Sequence, residues 1–314
     1  MSRVFTKLTP ETTRLEWLRY RQAGIGGSDA AAVLGLSRWK GPLDVWLDKT
    51  REITQDDGAS EAAYWGNVLE DIVAQEFSKR TGLQVRRRNA ILMHDAHDFI
   101  LANIDRELVG QKVGLECKTA SAYKKEEWSE DEIPAEYIVQ CQHYMAVTGY
   151  EAWWIACLIG GNQFVYKQIE RDEELIEMLL AAEVDFWNRY VAGGTMPPVD
   201  GSFAAQDALK VMYPQAEQGE ELTLDAEQEA LLQERQDLVK LADDCDAKIM
   251  AIDNQIKADM GTRELATGQY FSVKWGNVSR TTVDSKRLKA EAPEIYQQYS
   301  KTNTSRTFRV KEIG

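Results

Sequence analysis

Little in this chain speaks for zinc, disulfides or a membrane. Its 314 residues include four cysteines and three histidines. Cys117, Cys141, Cys157 and Cys245 lie far apart and form no Cys-x-x-Cys pair. That argues against a zinc ribbon and against a disulfide framework, and a reducing cytoplasm fits best. His94, His97 and His143 share no metal-binding spacing. No stretch approaches the roughly 20 apolar residues that a spanning helix needs. The longest apolar stretch, from Ala152 to Gly160, suits a buried strand. The N-terminal Met-Ser-Arg-Val-Phe-Thr-Lys has no apolar run, so no signal peptide is expected. Net positive charge is missing too: 51 acids oppose 37 bases, a balance of −14. This sign opposes indiscriminate coating of nucleic acid. The deficit is uneven: residues 217–259 hold 13 acids and four bases, whereas 260–314 hold five acids and 10 bases. An acidic body with a basic tail can still hold DNA in a locally positive groove. There are no repeats and no low-complexity tract.

What the chain does have is 44% hydrophobic residues, enough for one sizeable core, or a core domain with an appendage. Thr9-Pro10 reads as a helix start, with the helix running to about Arg21. Gly24 to Gly35 opens with a glycine turn, and Ser28 or Asp29 can cap a short helix through Leu34. A helix start behind such a turn suits a phosphate, although a plain loop and cap read the same way. Pro42–Lys49 is a further short helix, and Gln55–Ser60 a polar loop. Glu61–Arg80 is a long amphipathic helix with Trp65, Leu69, Ile72, Val73 and Phe77 as its stripe. Glu70 lies beside that stripe, and Gly82 ends the helix. Leu83–Arg88, Phe99–Ile104 and Val113–Lys118 read as a strand meander. Pro134 starts a second long helix through Val147. Trp153–Ile159 and Gln163–Ile169 are strands about a Gly160-Gly161-Asn162 turn, with Trp153 and Trp154 in the core. Asp172 caps a helix to about Val191. This order predicts an α/β fold with a central mixed sheet flanked by helices.

A boundary is expected at Gly193–Pro198, giving a core domain over 1–200, a helical arm over 201–260 and a basic α+β tail over 261–314. In the arm, Leu231, Leu238, Cys245, Ile249, Ile252 and Ile256 form a stripe, predicting a helical hairpin or a coiled-coil-like arm. In the tail, Tyr270–Trp275 and Val278–Val283 predict a hairpin about Gly276-Asn277. Asp284 caps a short helix, and Thr307–Lys311 adds a strand. Lys274, Trp275, Arg280, Arg306, Phe308 and Arg309 mix bases with aromatics, a pattern that suits nucleic acid and equally a half-exposed strand.

The chemistry-bearing run is Gly114-Leu-Glu-Cys-Lys-Thr-Ala120. Residues two apart in a strand share a side, so Glu116 and Lys118 stand together. Eleven residues upstream, Asp105 follows the apolar run that ends at Ile104. Two acids and a lysine on adjacent strands are the parts of a metal-dependent phosphodiesterase: oxygen ligands for Mg²⁺ and an ammonium that orients water. Taken alone, Glu-x-Lys is more commonly a solvated ion pair, and Glu70 a surface glutamate.

Five motifs occur in order: Arg21 with Gly24–Asp29, Trp65-Gly-Asn-Val-Leu-Glu70, Asn103-Ile-Asp105, Leu115-Glu-Cys-Lys118, and Tyr137-Ile-Val-Gln-Cys-Gln-His-Tyr144. Over roughly residues 14–190 the sequence resembles the YqaJ-type viral recombinase nucleases, relatives of the lambda exonuclease in the PD-(D/E)xK superfamily. It departs at Ile104, where lambda exonuclease has proline, and the chain after Gly194 has no counterpart there. The resemblance implies a restriction-endonuclease-like core. It implies that Asp105, Glu116 and the Cys117 carbonyl ligate Mg²⁺, with Glu70 bound directly or through water. Two ions are implied, with Mn²⁺ as a substitute. Lys118 would position or help deprotonate water, and Gln140 would orient the lysine or the water. Arg21 and Ser28 would bind a terminal 5′-phosphate. The implied activity is 5′→3′ exonuclease digestion of linear double-stranded DNA, leaving 3′ overhangs for phage-type recombination. The implied partners are DNA ends, a single-strand annealing recombinase and further copies of the chain in a ring, such as a trimer. The alternatives are a RecB-like DNA endonuclease and a non-catalytic DNA-binding protein of the same fold. Arg86–Arg88, Tyr123, Lys124 and Lys125 are candidate DNA contacts, and His143 is expected to be structural.

Overall fold

The computed structural model describes residues 2–53, 58, 60–129, 132–302 and 304–313. It divides into two units, one ending at Met212 and one beginning at Tyr213. The loop expected at Gln55–Ser60 falls mostly outside the described residues.

The first unit opens with β1 (Arg3–Lys7), a strand the sequence did not signal. Helix α1 (Arg14–Gln22) starts later than expected. Thr13 caps it, because Glu16 returns a carboxylate to the Thr13 N–H at 2.8 Å and completes a capping box. In α2 (Gly27–Val33) the cap is Gly26 rather than Ser28 or Asp29, and the Asp29 carboxylate accepts the Gly26 N–H at 3.1 Å. Next come α3 (Pro42–Thr50) and α4 (Glu61–Thr81). The buried side of α4 is Val73, Ala74 and Phe77, whereas Trp65 and Ile72 are about half exposed. Only the second half of the helix lies on a sheet, so the expected stripe holds there alone.

Five strands, β2 (Val85–Arg87), β5 (Arg106–Leu108), β6 (Val113–Ala120), β7 (Ala152–Ile159) and β8 (Gln163–Glu170), form the main sheet in the order β2-β5-β6-β7-β8. Only β6 and β7 are parallel, which requires a crossover, and α5 (Ala135–Thr148) supplies it. A smaller sheet joins β1, β3 (Ala90–Met93) and β4 (Leu101–Asn103). The expected meander is therefore corrected: β4 does not neighbour β6, and the chain steps from one sheet to the other at Ile104–Asp105. Helix α6 (Glu173–Phe186), capped by Asp172, widens into a π turn at Trp187–Ala192. Helix α7 (Phe203–Met212) closes the unit with Ala205 and Ala208 in a cluster with Leu43 of α3.

Strand alternation sorts the core. Leu115 and Ala156 pack with Val73 and Phe77 of α4, whereas Trp153, Ile155 and Cys157 pack with Cys141, Tyr144 and Met145 of α5. Glu116 alternates onto the α5 side. Two glycines permit close approaches at the turn before α2. A Cβ on Gly24 would stand 2.2 Å from the Phe99 carbonyl oxygen, and one on Gly27 would stand 2.5 Å from the Tyr144 ring. The sheet between helices is the α/β class expected.

In the second unit α8 (Ala226–Met260) is one continuous helix of 35 residues rather than a hairpin. Among the described residues, its only buried one is Met260. The β-hairpin lies earlier than expected, pairing β9 (Leu265–Thr267) with β10 (Ser272–Lys274). The Gly268 N–H bonds the Phe271 carbonyl at 2.8 Å, and the Trp275 N–H bonds the Glu264 carbonyl at 2.8 Å, which closes the hairpin at both ends. Val278–Val283 and Thr307–Lys311 form no strand. Asp284 caps α9 (Ser285–Glu291) as expected, and α10 (Pro293–Tyr299) follows.

Candidate active site

The register of β5 on β6 places Arg106 opposite Leu115 and Glu107 opposite Gly114. Asp105, one residue before β5, therefore arrives beside Glu116. The Cys117 N–H donates to Asp105 Oδ2 at 2.9 Å. Lys118 Nζ lies 2.5 Å from Glu116 Oε1, and Gln140 Nε2, reaching over from α5, donates to the same oxygen at 2.7 Å. Gln140 Nε2 also lies 2.8 Å from the Tyr144 hydroxyl. Glu116 is 3% exposed, and its second oxygen, Oε2, is buried with no hydrogen-bond partner.

These groups perturb one another. Burial pushes the Asp105 carboxyl well above the usual range, and the Glu116 and Glu70 carboxylates push it the same way. Burial works to lower the Lys118 ammonium, but Glu116 and Asp105 outweigh it and hold the lysine charged to higher pH. Asp105 and Lys118 are thus tuned by the charges packed against them. Lys118 also lies 5.0 Å from the centre of the Tyr137 ring. Burial pushes the Cys117 thiol far up, and its side chain packs with the α4 cluster.

Glu70 is placed on the wall of the site by α4, but its carboxylate is held by Arg106. Arg106 is 4% exposed; it donates to Asp71 Oδ1 and to the Asp105 carbonyl, each at 2.6 Å. The sequence reading missed this arginine. Its signal was weak: a basic residue in a three-residue strand opposite the adjacent acids of α4. Among the described residues, no group of three or more His, Cys, Asp and Glu side chains is gathered closely enough to hold a metal ion.

The glycine turn adds a second component. Arg21 Nη2 donates to Ser28 Oγ at 2.6 Å, and its guanidinium lies 4.7 Å from the centre of the Trp17 ring. Arg21, Ser28, Glu70, Asp105, Glu116 and Gln140 line one cavity of about 200 Å³. The acids are gathered by sheet register, and the Arg21–Ser28 pair by the turn that Gly24 and Gly27 allow. Lys118, bonded to Glu116, is not among the residues that line it.

Other candidates fall elsewhere. Arg86 and Arg88 are bound to the buried Glu107, at 2.8 and 3.4 Å, and Arg87 pairs with Asp71 at 2.7 Å. Tyr123, Lys124 and Lys125 lie on a 3-10 helix, Ala122–Trp128, directly after β6, with Tyr123 fully exposed. His143 is buried and paired with Glu183. No helix among the described residues is long and apolar enough to cross a membrane.

Among solved structures, the chain is similar to an alkaline exonuclease, LHK-Exo, from Laribacter hongkongensis. The match has 20% identity and a TM-score of 0.47, and covers 62% of this chain and 98% of that one. The same enzyme in complex with dAMP gives a TM-score of 0.49 at 21% identity over the same shares. The model of the YqaJ-like viral recombinase domain matches residues 16–151. An uncharacterized protein, YqaJ, from Bacillus subtilis (strain 168) is 45% identical over 306 residues, which is 97% of this chain and 96% of that protein. At that identity, sustained across nearly the whole of both chains, this protein belongs to the YqaJ-like viral recombinase family.

Proposed function

We propose that this protein is a metal-dependent deoxyribonuclease that digests linear double-stranded DNA from 5′ ends. The product is a 3′ overhang for phage-type recombination by strand annealing. The observation that carries this reading is one cavity lined both by Asp105 and Glu116 and by the Arg21–Ser28 pair. An anion-binding pair next to two carboxylates suits a terminal phosphate beside a phosphodiester about to be cut. Helix α2 spans only seven residues, so the pocket rests on side chains rather than on a helix dipole.

The donor set fits a hard cation. It consists of oxygens, and Glu116 Oε2 is buried without a partner. Mg²⁺ characteristically takes one or two carboxylates and completes its shell with water and substrate phosphate. Two gathered carboxylates rather than three are therefore compatible with Mg²⁺, with Mn²⁺ as a substitute and a second ion alongside. Asp105, Glu116 and the Cys117 carbonyl would hold the cation, with Glu70 reaching it through water. When bound, such a cation supplies charge stabilisation at the attacked phosphate and a more acidic water. The chain's own residues do the rest. Gln140 fixes the Glu116 carboxylate by donating its amide N–H. Lys118, held charged by Glu116 and Asp105, would position the attacking water through the Glu116 carboxylate that it bonds. Arg21 and Ser28 hold the end in register.

On this reading residues 1–200, with α7 packed on them, carry catalysis, the rest of 201–260 forms an arm, and the basic 261–314 contacts DNA or the annealing protein. Several copies in a ring, such as a trimer, would let an acidic protein line only its channel with positive charge. The cytoplasm is the compartment in which this chemistry would run.

The test is digestion of linear duplex bearing 5′-phosphate or 5′-hydroxyl ends, beside closed circles, with Mg²⁺. Loss of the linear form alone, faster with 5′-phosphate, is expected. Nicking of circles would point to an endonuclease, and no hydrolysis with Mg²⁺ or Mn²⁺ to a non-catalytic DNA-binding protein. Arg21→Ala is expected to reduce the preference for 5′-phosphate about 10-fold, the worth of one charge-assisted hydrogen bond. Cys117→Ala is expected to keep hydrolysis within about 2-fold, since only the carbonyl is needed, while costing ~1–2 kcal/mol of stability from lost packing. A large activity loss in that variant, read by initial rates, would remove Cys117 from its assigned role.

A further inference from the structure

Beneath the Arg21–Ser28 pair lies a charge cluster that the proposed chemistry does not use. Asp29 is fully buried on α2, and the Lys49 side chain on α3 is 3% exposed. Lys49 Nζ donates to Asp29 Oδ2 at 2.6 Å and to the Arg21 carbonyl at 2.9 Å. The same Asp29 oxygen accepts the Gly26 N–H at 3.1 Å. Lys40 Nζ bonds the other oxygen, Oδ1, at 2.7 Å and reaches Asp48 at 2.8 Å.

Buried ion pairs rarely out-stabilise apolar residues of the same size, so their placement calls for a reason. Two contacts of this pair end on the machinery of the pocket, at the Arg21 carbonyl and the Gly26 N–H. Lys49 pins the backbone of Arg21 in the last turn of α1. Asp29 pins Gly26, the turn residue that sets the start of the helix carrying Ser28. The guanidinium is further held over Trp17. Arg21, Lys40 and Lys49 oppose Asp29 and Asp48, which leaves one positive charge in excess within an acidic chain. Both effects prepare a site for a dianion before it arrives.

We propose that the buried Asp29–Lys49 pair, with Lys40, is the positioning device of the pocket and makes it select phosphate-terminated over hydroxyl-terminated DNA ends. This rests on the terminal-phosphate reading of the cavity. Asp29, Lys40 and Lys49 are positioning residues; only Arg21 and Ser28 would touch the phosphate.

The test is binding of a fluorescent duplex with 5′-phosphate or 5′-hydroxyl ends to the full chain, by anisotropy in Ca²⁺. The wild type is expected to prefer the phosphate about 10-fold. The double variant Asp29→Asn/Lys49→Met removes both charges together, so neither is left buried alone. It is expected to bind hydroxyl ends as the wild type does and to lose most of the preference. Undiminished preference, or equal weakening on both ends as a merely structural role would give, overturns the proposal. Should the double variant not fold, Lys40→Met keeps the buried pair and is expected to reduce the preference about 3-fold; no change there overturns it too. A wild type with no end preference removes this inference together with the terminal-phosphate reading. A wild type that prefers phosphate ends but hydrolyses nothing in Mg²⁺ overturns only the nuclease reading.

Discussion

Replacing Lys118 with methionine is expected to slow DNA hydrolysis by about 10³-fold, within the range of a lost proton-handling or orienting group. Methionine keeps the length and apolar stem and removes the ammonium, together with its contact over the Tyr137 ring. That ammonium bonds Glu116 Oε1 at 2.5 Å and offsets the negative charge gathered there. The variant should fold, because the replacement is of similar length and the Cys117 N–H and Gln140 still hold Asp105 and Glu116. The measurement is single-turnover hydrolysis at saturating enzyme with Mg²⁺, with DNA binding followed separately. Unchanged rates would remove Lys118 from the site; equal losses of binding and rate would make its role structural.

The second large effect concerns stability. His143→Ala is expected to cost ~3–5 kcal/mol, the penalty for stranding one partner of a buried pair. His143 Nδ1 lies 2.7 Å from Glu183 Oε1, and Nε2 lies 2.8 Å from the Leu101 carbonyl. The Leu101 carbonyl can only accept, so Nε2 donates to it, and an imidazolium would donate from Nδ1 to Glu183 as well. Burial works to lower the His143 value, but Glu183 and the Leu101 carbonyl outweigh it, and the net direction is upward. The sign follows. A folded value above the unfolded one, about 6.5, contributes stability that is fully present below the unfolded value. That contribution is lost as pH rises through the folded value. Urea denaturation should therefore show the wild type gaining on His143→Leu/Glu183→Leu at pH 6 and losing ground toward alkaline pH. The opposite slope would assign the pair a neutral ring. The double variant should recover much of what the single one loses, since no charge is then left alone.

Long periodic elements were legible in the sequence, and short ones were not. Val113–Lys118, Trp153–Ile159 and the helix after Pro134 carry enough alternation or stripe to be read directly. Strands β4 and β5 have three residues each, too few for a period of two to show, so the step between sheets at Asp105 was invisible. The nearness of Asp105 to Glu116 was nevertheless expected, because the two were read on adjacent strands. Which strand carries it there was not. Partnerships across long separations, such as Arg106 with Glu70 or Lys49 with Asp29, leave no local mark. The stripe expected over the arm lies on one continuous helix, α8, where Leu231, Leu238, Ile249 and Ile252 are each more than half exposed. The hairpin was misplaced because closure by the Glu264 and Phe271 carbonyls depends on backbone bonds rather than on a glycine-asparagine signal.

Tyr144 has a consequence for anyone wishing to re-engineer this protein. Its hydroxyl meets Gln140, which holds Glu116, while its ring fills the space that the missing side chain of Gly27 leaves open. The part that would grip an end and the part that would cut the backbone are therefore not separable modules. A swap of the glycine turn for that of a relative would shift the tyrosine, and through it the glutamine and the carboxylate. Grafting a new end preference onto this chain would have to carry α2 and α5 together.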